Sequence, residues 1–277
     1  MPLCIDRMAV EDGGGTDPVR LARAIHAQLP GLRGATPVRE IALALDIHEI
    51  REEHLTNIEG ALVTTAERDV GSILVSRTSN PQRRRYTVAH ELLHFLNPLH
   101  QQTTDGGFEC SRSDMILSGT STRKPTRHQQ QEIEANTFAI ELLAPSSLMR
   151  PFLLSFADLE KVLQAADALE LSKEATARRY VQLHRDRLAI VFSKDGAISY
   201  FDRGEGFPWL AVDRGDALPG LPKRSSLSES LLPMNEADAD DWLSYSSRTQ
   251  LYAQTLLQSG GHAMTLLLAE RDGGEDD

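Results

Sequence analysis

The chain has 277 residues, of which 40% are hydrophobic and 25% charged, and a formal net charge of −11 at pH 7. That balance belongs to a globular protein with room for one large or two modest domains; it excludes a disordered chain and one drawn to nucleic acid by bulk charge, though a local basic face stays open. There is no apolar run of membrane-spanning length, no basic and apolar leader, and only Cys4 and Cys110 as thiols, so the expectation is a cytoplasmic protein without membrane contact or disulfide framework.

Pro18 to Leu29 and Pro37 to Leu45 carry apolar residues at helical spacing, each opened by a proline where a first turn tolerates one. Asp46 to Arg51, Gly60 to Thr65 and Ser72 to Ser76 are rich in β-branched or aliphatic residues and read as short strands. Asn80-Pro81 then starts a helix, with Asn80 as N-cap, that runs to Leu96. Tyr86, Val88, Ala89, Leu92, Leu93, Phe95 and Leu96 make this helix mostly buried.

Within it stands His90-Glu91-Leu92-Leu93-His94. Residues four apart share a helix face, so His90 and His94 can converge on one metal ion. Glu91 lies one residue round, displaced from the ion but able to reach a water beside it. It is the candidate general base for amide hydrolysis without a covalent intermediate. Two surface histidines on an ordinary helix would show the same spacing, but polar groups on a buried helix are costly unless partnered.

Two residues compete as third ligand. His100 follows His94 by six positions, which nearly copies the metzincin spacing with Asn97 in place of the turn glycine; Pro98 and the lack of a Met-turn count against it. The other is Glu132, on a helical segment from Glu132 to Ala144 that stops at Pro145. Glu132 and Asn136 share a face, so Asn136 could orient a liganding histidine, whereas Glu134 points about 160° away and cannot share that role.

Arg85-Tyr86-Thr87-Val88-Ala89-His90-Glu91-Leu92-Leu93-His94, followed by Glu132, Glu134-Ala135-Asn136, Phe138-Ala139, Leu142-Leu143 and Pro145, resembles the ImmA/IrrE zinc metallopeptidases. The resemblance implies Zn2+ held by His90, His94 and Glu132 with a fourth position left for water, and Glu91 as base. It also implies the substrate, a protein and specifically a helix-turn-helix repressor, in regulatory proteolysis, stress response, mobile elements or toxin–antitoxin pairs. Manganese or iron could occupy the same donors. His128, Arg127 and Tyr86 are candidates to steady an oxyanion.

The stretch from Pro98 to Thr126 is long for a loop and reads as a lid or substrate-binding segment, or as disorder. Cys110 lies in it, either as an ordinary loop thiol or as an inhibitory or redox-sensitive ligand. Asp158 to Leu169, Glu170-Leu171 and the helix after Ser172 form a helix-turn-helix-like pair, with Lys173, Arg178, Arg179, Arg185 and Arg187 nearby. Such pairs are more often packing elements than groove readers, so direct DNA binding is the lesser reading.

The last third turns β-rich. Leu188 to Ser193 and Ala197 to Phe201 flank Lys194-Asp195-Gly196, and Gln250 to Leu257 and His262 to Leu268 flank Ser259-Gly260-Gly261, as hairpins. Asn235 to Leu243 reads as one helix, and Trp209 and Trp242 as core anchors.

The expected architecture is α+β. A zinc metallopeptidase domain with a small mixed sheet beside the metal helix spans residues 1–150, a helical extension 151–187, a small β-rich domain 188–270 and a disordered acidic tail 271–277. The expected function is a zinc-dependent endopeptidase. A DNA- or repressor-binding transcriptional regulator with a structural metal site and a metal hydrolase of non-protein substrates are the alternatives.

Overall fold

The computed structural model describes residues 3–103, 106–114, 124–220, 229–246 and 249–271. The fold is α+β and divides into two compact units, one of Met1–Leu148 with Ala168–Leu171, the other of Met149–Asp167 with Ser172–Asp277.

In the first unit, helices α1 (Arg7–Gly14), α2 (Pro18–Ala27) and α3 (Val38–Ala44) precede strands β1 (Ile47–Glu53), β2 (Gly60–Thr64) and β3 (Gly71–Ser76). The sequence pattern lacks an apolar signal for α1; it forms because Asp6 caps it, accepting a hydrogen bond from the Ala9 amide at 3.1 Å. The sixteen-residue helix α4 (Pro81–Leu96) starts as the sequence predicts, the Asn80 side chain accepting from the Arg83 amide at 2.7 Å and Pro81 in the first turn. Every residue from Thr87 to Leu96 is buried. Only a central helix covered on all sides can satisfy that pattern. Helix α5 (Arg127–Leu143) lies beside it, begun by a reciprocal capping box of Thr126 and Gln129.

The long segment before α5 contains an element the sequence reading leaves in a loop: β4 (Gly107–Cys110). It joins a four-stranded mixed sheet in the order β1-β3-β2-β4, with β1 parallel to β3 and the other pairs antiparallel. The edges are therefore β1 and β4, and α4 packs across β2 and β3. Gly119 and its neighbours from 115 to 123 lie outside the described residues.

In the second unit, α6 (Ser146–Leu153), α7 (Leu159–Leu169) and α8 (Lys173–Leu183) lead into a six-stranded antiparallel sheet. Strands β5 (Leu188–Lys194), β6 (Ala197–Arg203), β7 (Ser230–Leu231), β9 (Thr249–Leu257) and β10 (His262–Arg271) take the order β6-β5-β10-β9-β7, and β8 (Asn235–Ala237) also pairs with β9. The β5–β6 hairpin turns at Asp195 and Gly196, with φ of 51° and 81°, as the Asp-Gly pair predicts. Ala189, Val191, Ile198, Phe207, Trp242, Leu251 and Leu267 form the core on one face of this sheet.

Two expectations fail here. Asn235 to Leu243 is not one helix: Asn235–Ala237 extends along β9, and only the short α9 (Ala239–Trp242) is helical, capped by Asp238. The sheet partner outweighs the acidic helix-start signal. Trp242 is buried as a core anchor, but Trp209 is 73% exposed and lies under the Arg203 guanidinium, 3.7 Å from its ring centre. Of the tail expected over 271–277, Arg271 is instead the last residue of β10, and residues 272–277 lie outside the described residues.

The helix pair α7–α8 forms, and three of its basic residues are held by partners or burial, while Arg185 stays exposed beside Asp186. Arg178 pairs with Asp202, Arg179 is 2% exposed with its Nη1 donating to Gln182, and Lys173 pairs with Glu229. Side chains held this way are not offered to phosphates.

Candidate metal centre

Helix spacing brings His90 and His94 together, and the α4–α5 contact carries Glu132 to them. The Nε2 atoms of the two histidines stand 3.3 Å apart. One Glu132 oxygen lies 3.1 Å from His90 Nε2, the other 3.6 Å from His94 Nε2. All three side chains are buried, with Glu132 1% exposed. Donors at ~2.0–2.1 Å from a tetrahedral ion stand about 3.3 Å from one another, so these separations suit one shared metal ion.

Both rings are aimed by what lies behind them. His90 Nδ1 is 3.0 Å from Asn136 Oδ1, which also accepts from the Tyr86 hydroxyl at 3.0 Å, while Asn136 Nδ2 donates to the Asp114 carbonyl at 2.9 Å. The amide is thereby fixed with its oxygen toward His90. That makes His90 Nδ1 the donor and frees Nε2 for a metal. Tyr86, an oxyanion candidate in the sequence, is engaged with Asn136.

His100 does not face the cluster. Its Nδ1 is 2.9 Å from the Nδ1 of His94, and its Nε2 is 3.0 Å from Glu134 Oε2. If His94 Nε2 is to be a ligand, His94 Nδ1 donates to His100, and His100 Nε2 donates to Glu134. The near-metzincin spacing thus places His100 behind a ligand rather than beside it. Arg68, buried and stacked 5.5 Å over the Phe108 ring, holds the turn in place by donating to the carbonyls of Asn97 and His100. Glu134 does not share the position of Glu132, as its helical offset predicts.

Glu91 is fully buried beside the cluster, and neither of its oxygens makes a conventional hydrogen bond. Burial pushes its carboxyl up to about 7; the His90 charge and the weak Cys110 thiol donor act against this, and the charges of Glu132 and Asp114 add to it. Burial disfavours charge on His90, yet the hydrogen bond it donates to Glu132 and the charges of Glu91 and Glu132 outweigh this and raise that pKa. His94 falls well below the ordinary histidine value through burial and the nearby His90 and His100 charges, so it is held neutral.

The space for Glu91 comes from a missing side chain. A Cβ on Gly60 would stand 2.3 Å from Thr87 Cγ2 and 2.7 Å from Glu91 Oε1. Gly60 pairs in register with Cys110 across β2 and β4.

Cys110 is the residue the sequence reading undervalues. It is 1% exposed and its Sγ lies 3.6 Å from His94 Nε2, so that His90, His94, Cys110 and Glu132 offer four donor atoms within 4.8 Å of one another. Phe108, two residues earlier on the same face of β4, stacks on His94 with ring centres 4.7 Å apart. The alternation Phe108-Glu109-Cys110 after two glycines is the signal that marks this strand. His128 is half exposed, 3.6 Å from Glu132 and 3.4 Å from Asp114, near enough to the site to touch a ligand there. Arg127 is exposed at the start of α5.

A search among curated proteins found no match. A solved structure described as a Mycobacterium tuberculosis transcriptional regulator shares the fold, with a TM-score of 0.55 over 98% of this chain and 82% of that one, at 15% identity. Residues 46–180 match the family model of the IrrE N-terminal-like domain of peptidase M78, a span that contains His90, Glu91, His94, Cys110 and Glu132. Across that span the chain is similar to the ImmA/IrrE family of metallopeptidases.

Proposed function

We propose that the protein is a zinc-dependent endopeptidase in which His90, His94 and Glu132 hold the ion and Glu91 is the general base. The observation that carries this is the state of Glu91: a fully buried carboxylate, without a conventional partner, beside three converging donors. A group left unsatisfied at such cost is what a reactive base requires and what a purely structural metal site does not. When bound, zinc supplies Lewis acidity to a carbonyl and lowers the pKa of water towards ~7. Glu91 accepts a proton at a carboxylate oxygen from the water that adds to the scissile carbonyl, and returns it to the departing nitrogen.

The Asn136 and His100–Glu134 hydrogen bonds keep the two imidazoles aimed throughout. Strand β4 ends the sheet, but the Gly107 carbonyl and the Glu109 amide on its outer side are bonded to Thr103, so an extended peptide that adds to this edge alongside the site must displace those contacts. The substrate we propose is a helix-turn-helix transcriptional repressor, in a cytoplasmic regulatory setting. No helix among the described residues is long and apolar enough to cross a membrane.

The test is to incubate the zinc-loaded chain with the repressor encoded beside it and look for two fragments. Glu91→Gln should retain zinc and cut nothing, whereas His90→Ala and Glu132→Ala should lose both metal and cleavage. One observation favours a second reading, a repressor- or DNA-binding regulator with a structural metal: the thiol of Cys110 as a fourth donor. Full biological effect of Glu91→Gln would establish that reading instead.

A further inference from the structure

We infer that Cys110 is a fourth, removable ligand of the metal site, which in the resting chain fills the position that a water or a substrate carbonyl must take. The inference rests on the metal reading above and says how that site is regulated: the protein is self-inhibited until Cys110 withdraws.

The distances fit coordination. For a sulfur at ~2.3 Å and a nitrogen at ~2.0–2.1 Å from a tetrahedral ion, the two donors stand about 3.5 Å apart. Cys110 Sγ and His94 Nε2 are separated by 3.6 Å, and all four donors fall within 4.8 Å of one another. This placement is built by the strand. The Cys110 carbonyl accepts from the Glu59 amide at 2.9 Å, Gly60 pairs opposite, and Phe108 anchors the same face of β4 on the His94 ring. Gly107 allows β4 to come this close, because a Cβ there would meet the Leu62 carbonyl oxygen at 2.1 Å. The thiol has no disulfide partner, both cysteines being free and Cys4 exposed.

Two features separate a removable ligand from a permanent one. The first is Glu91, buried with neither oxygen conventionally hydrogen-bonded next to the four donors. A closed structural site has no use for that carboxylate, and a neutral side chain would fill its place without the desolvation cost. The second is the carrier of the thiol. His90, His94 and Glu132 sit on the long central helices α4 and α5, whereas Cys110 ends a four-residue strand at the sheet edge, whose ladder partner is β2 and whose outer side is held by two hydrogen bonds to Thr103. The one donor that must leave for a substrate to enter is on the shortest of the three elements.

The experiment uses cobalt in place of zinc, in the full-length metal-stripped chain on a Cys4→Ser background that removes the other thiol. We expect the cobalt-loaded protein to show a thiolate-to-cobalt charge-transfer band in the near ultraviolet. Cys110→Ala and Cys110→Ser should bind cobalt without that band, and Cys110→Ser guards against loss of packing. Acetohydroxamate, a probe for an open coordination position, should perturb the visible cobalt spectrum of Cys110→Ala at a concentration at least about tenfold below that needed with Cys110 present. Bound cobalt without the charge-transfer band would overturn the inference and leave the metal site standing. So would an acetohydroxamate response that is unchanged in Cys110→Ala. A chain that binds neither cobalt nor zinc would remove the metal reading itself.

Discussion

Gly60→Ala should be a damaging small substitution in the first unit. Gly60 does not adopt a left-handed backbone, so alanine meets no conformational penalty there and should gain about 0.5–1 kcal/mol of strand stability through reduced chain entropy. Against this, the new methyl carbon would stand 2.3 Å from Thr87 Cγ2, well inside the 3.0 Å that real contacts respect, and 2.7 Å from Glu91 Oε1. The carboxylate end can swing aside, but Thr87 is fixed on the buried face of α4. Overpacking of this kind costs about 1–3 kcal/mol, so a net loss of about 1–2 kcal/mol is expected. Trp209 and Trp242 both lie in the second unit, so fluorescence would miss this change. Hydrogen exchange of the α4 amides in Gly60→Ala reports it. Thr87→Ser removes the offending methyl and keeps the hydroxyl that bonds the Arg83 carbonyl at 3.0 Å, so the double variant should recover at least about half of the loss. An α4 exchange rate in Gly60→Ala equal to or slower than the native rate would refute the packing argument.

Glu91→Gln should stabilise the metal-free chain. A carboxyl raised from 4.5 to about 7 by burial in the folded state destabilises it progressively as pH rises through that window, by up to about 3 kcal/mol. The variant should therefore exceed the native chain in α4 protection at pH 8 and approach it near pH 5; equal protection at pH 8 counts against the unsatisfied carboxylate. Arg68→Met should cost about 1–3 kcal/mol by leaving the Asn97 and His100 carbonyls unpaired, and thermal unfolding with fluorescence should show the second unit unchanged. His26 donates from Nε2 to the Leu142 carbonyl at 2.8 Å and is held neutral by burial, its pKa lowered from 6.5. Its stabilising effect is complete above 6.5 and is lost as pH falls through the folded-state value, so His26→Gln should flatten the acid limb of the first unit's stability curve.

The sequence makes the metal helix legible from its N-cap to Leu96, because Asn80-Pro81 and the apolar flanks are local signals. The offset of Glu132 from Glu134 is legible too, since helix period alone decides which carboxylate shares a face with Asn136. Less visible are features that depend on pairing at a distance. Strand β4 is four residues long, so its alternation is a weak signal on its own, and its position follows from β2. Cys110 accordingly reads as a loop thiol until its strand is built. Asn235 to Ala237 carries a helix-start composition that loses to the edge of β9, and Trp209 stays at the surface with Arg203 over its ring instead of entering the core. His100 is the instructive case: its spacing suits a ligand, but Pro98 and the Arg68 hold on the turn deliver it to the rear of His94.

The donors around the candidate ion come from a central helix, its neighbour and a sheet edge, His90 and Glu132 being 42 positions apart in the chain. An ion there would cross-link three segments that otherwise meet through packing and a few side-chain hydrogen bonds, and would tighten the first unit by about 2.7 kcal/mol at a hundredfold excess over its dissociation constant. The second unit holds none of those donors. Metal starvation would then act as a selective solvent, softening one half of the molecule toward proteases while the other half keeps its shape.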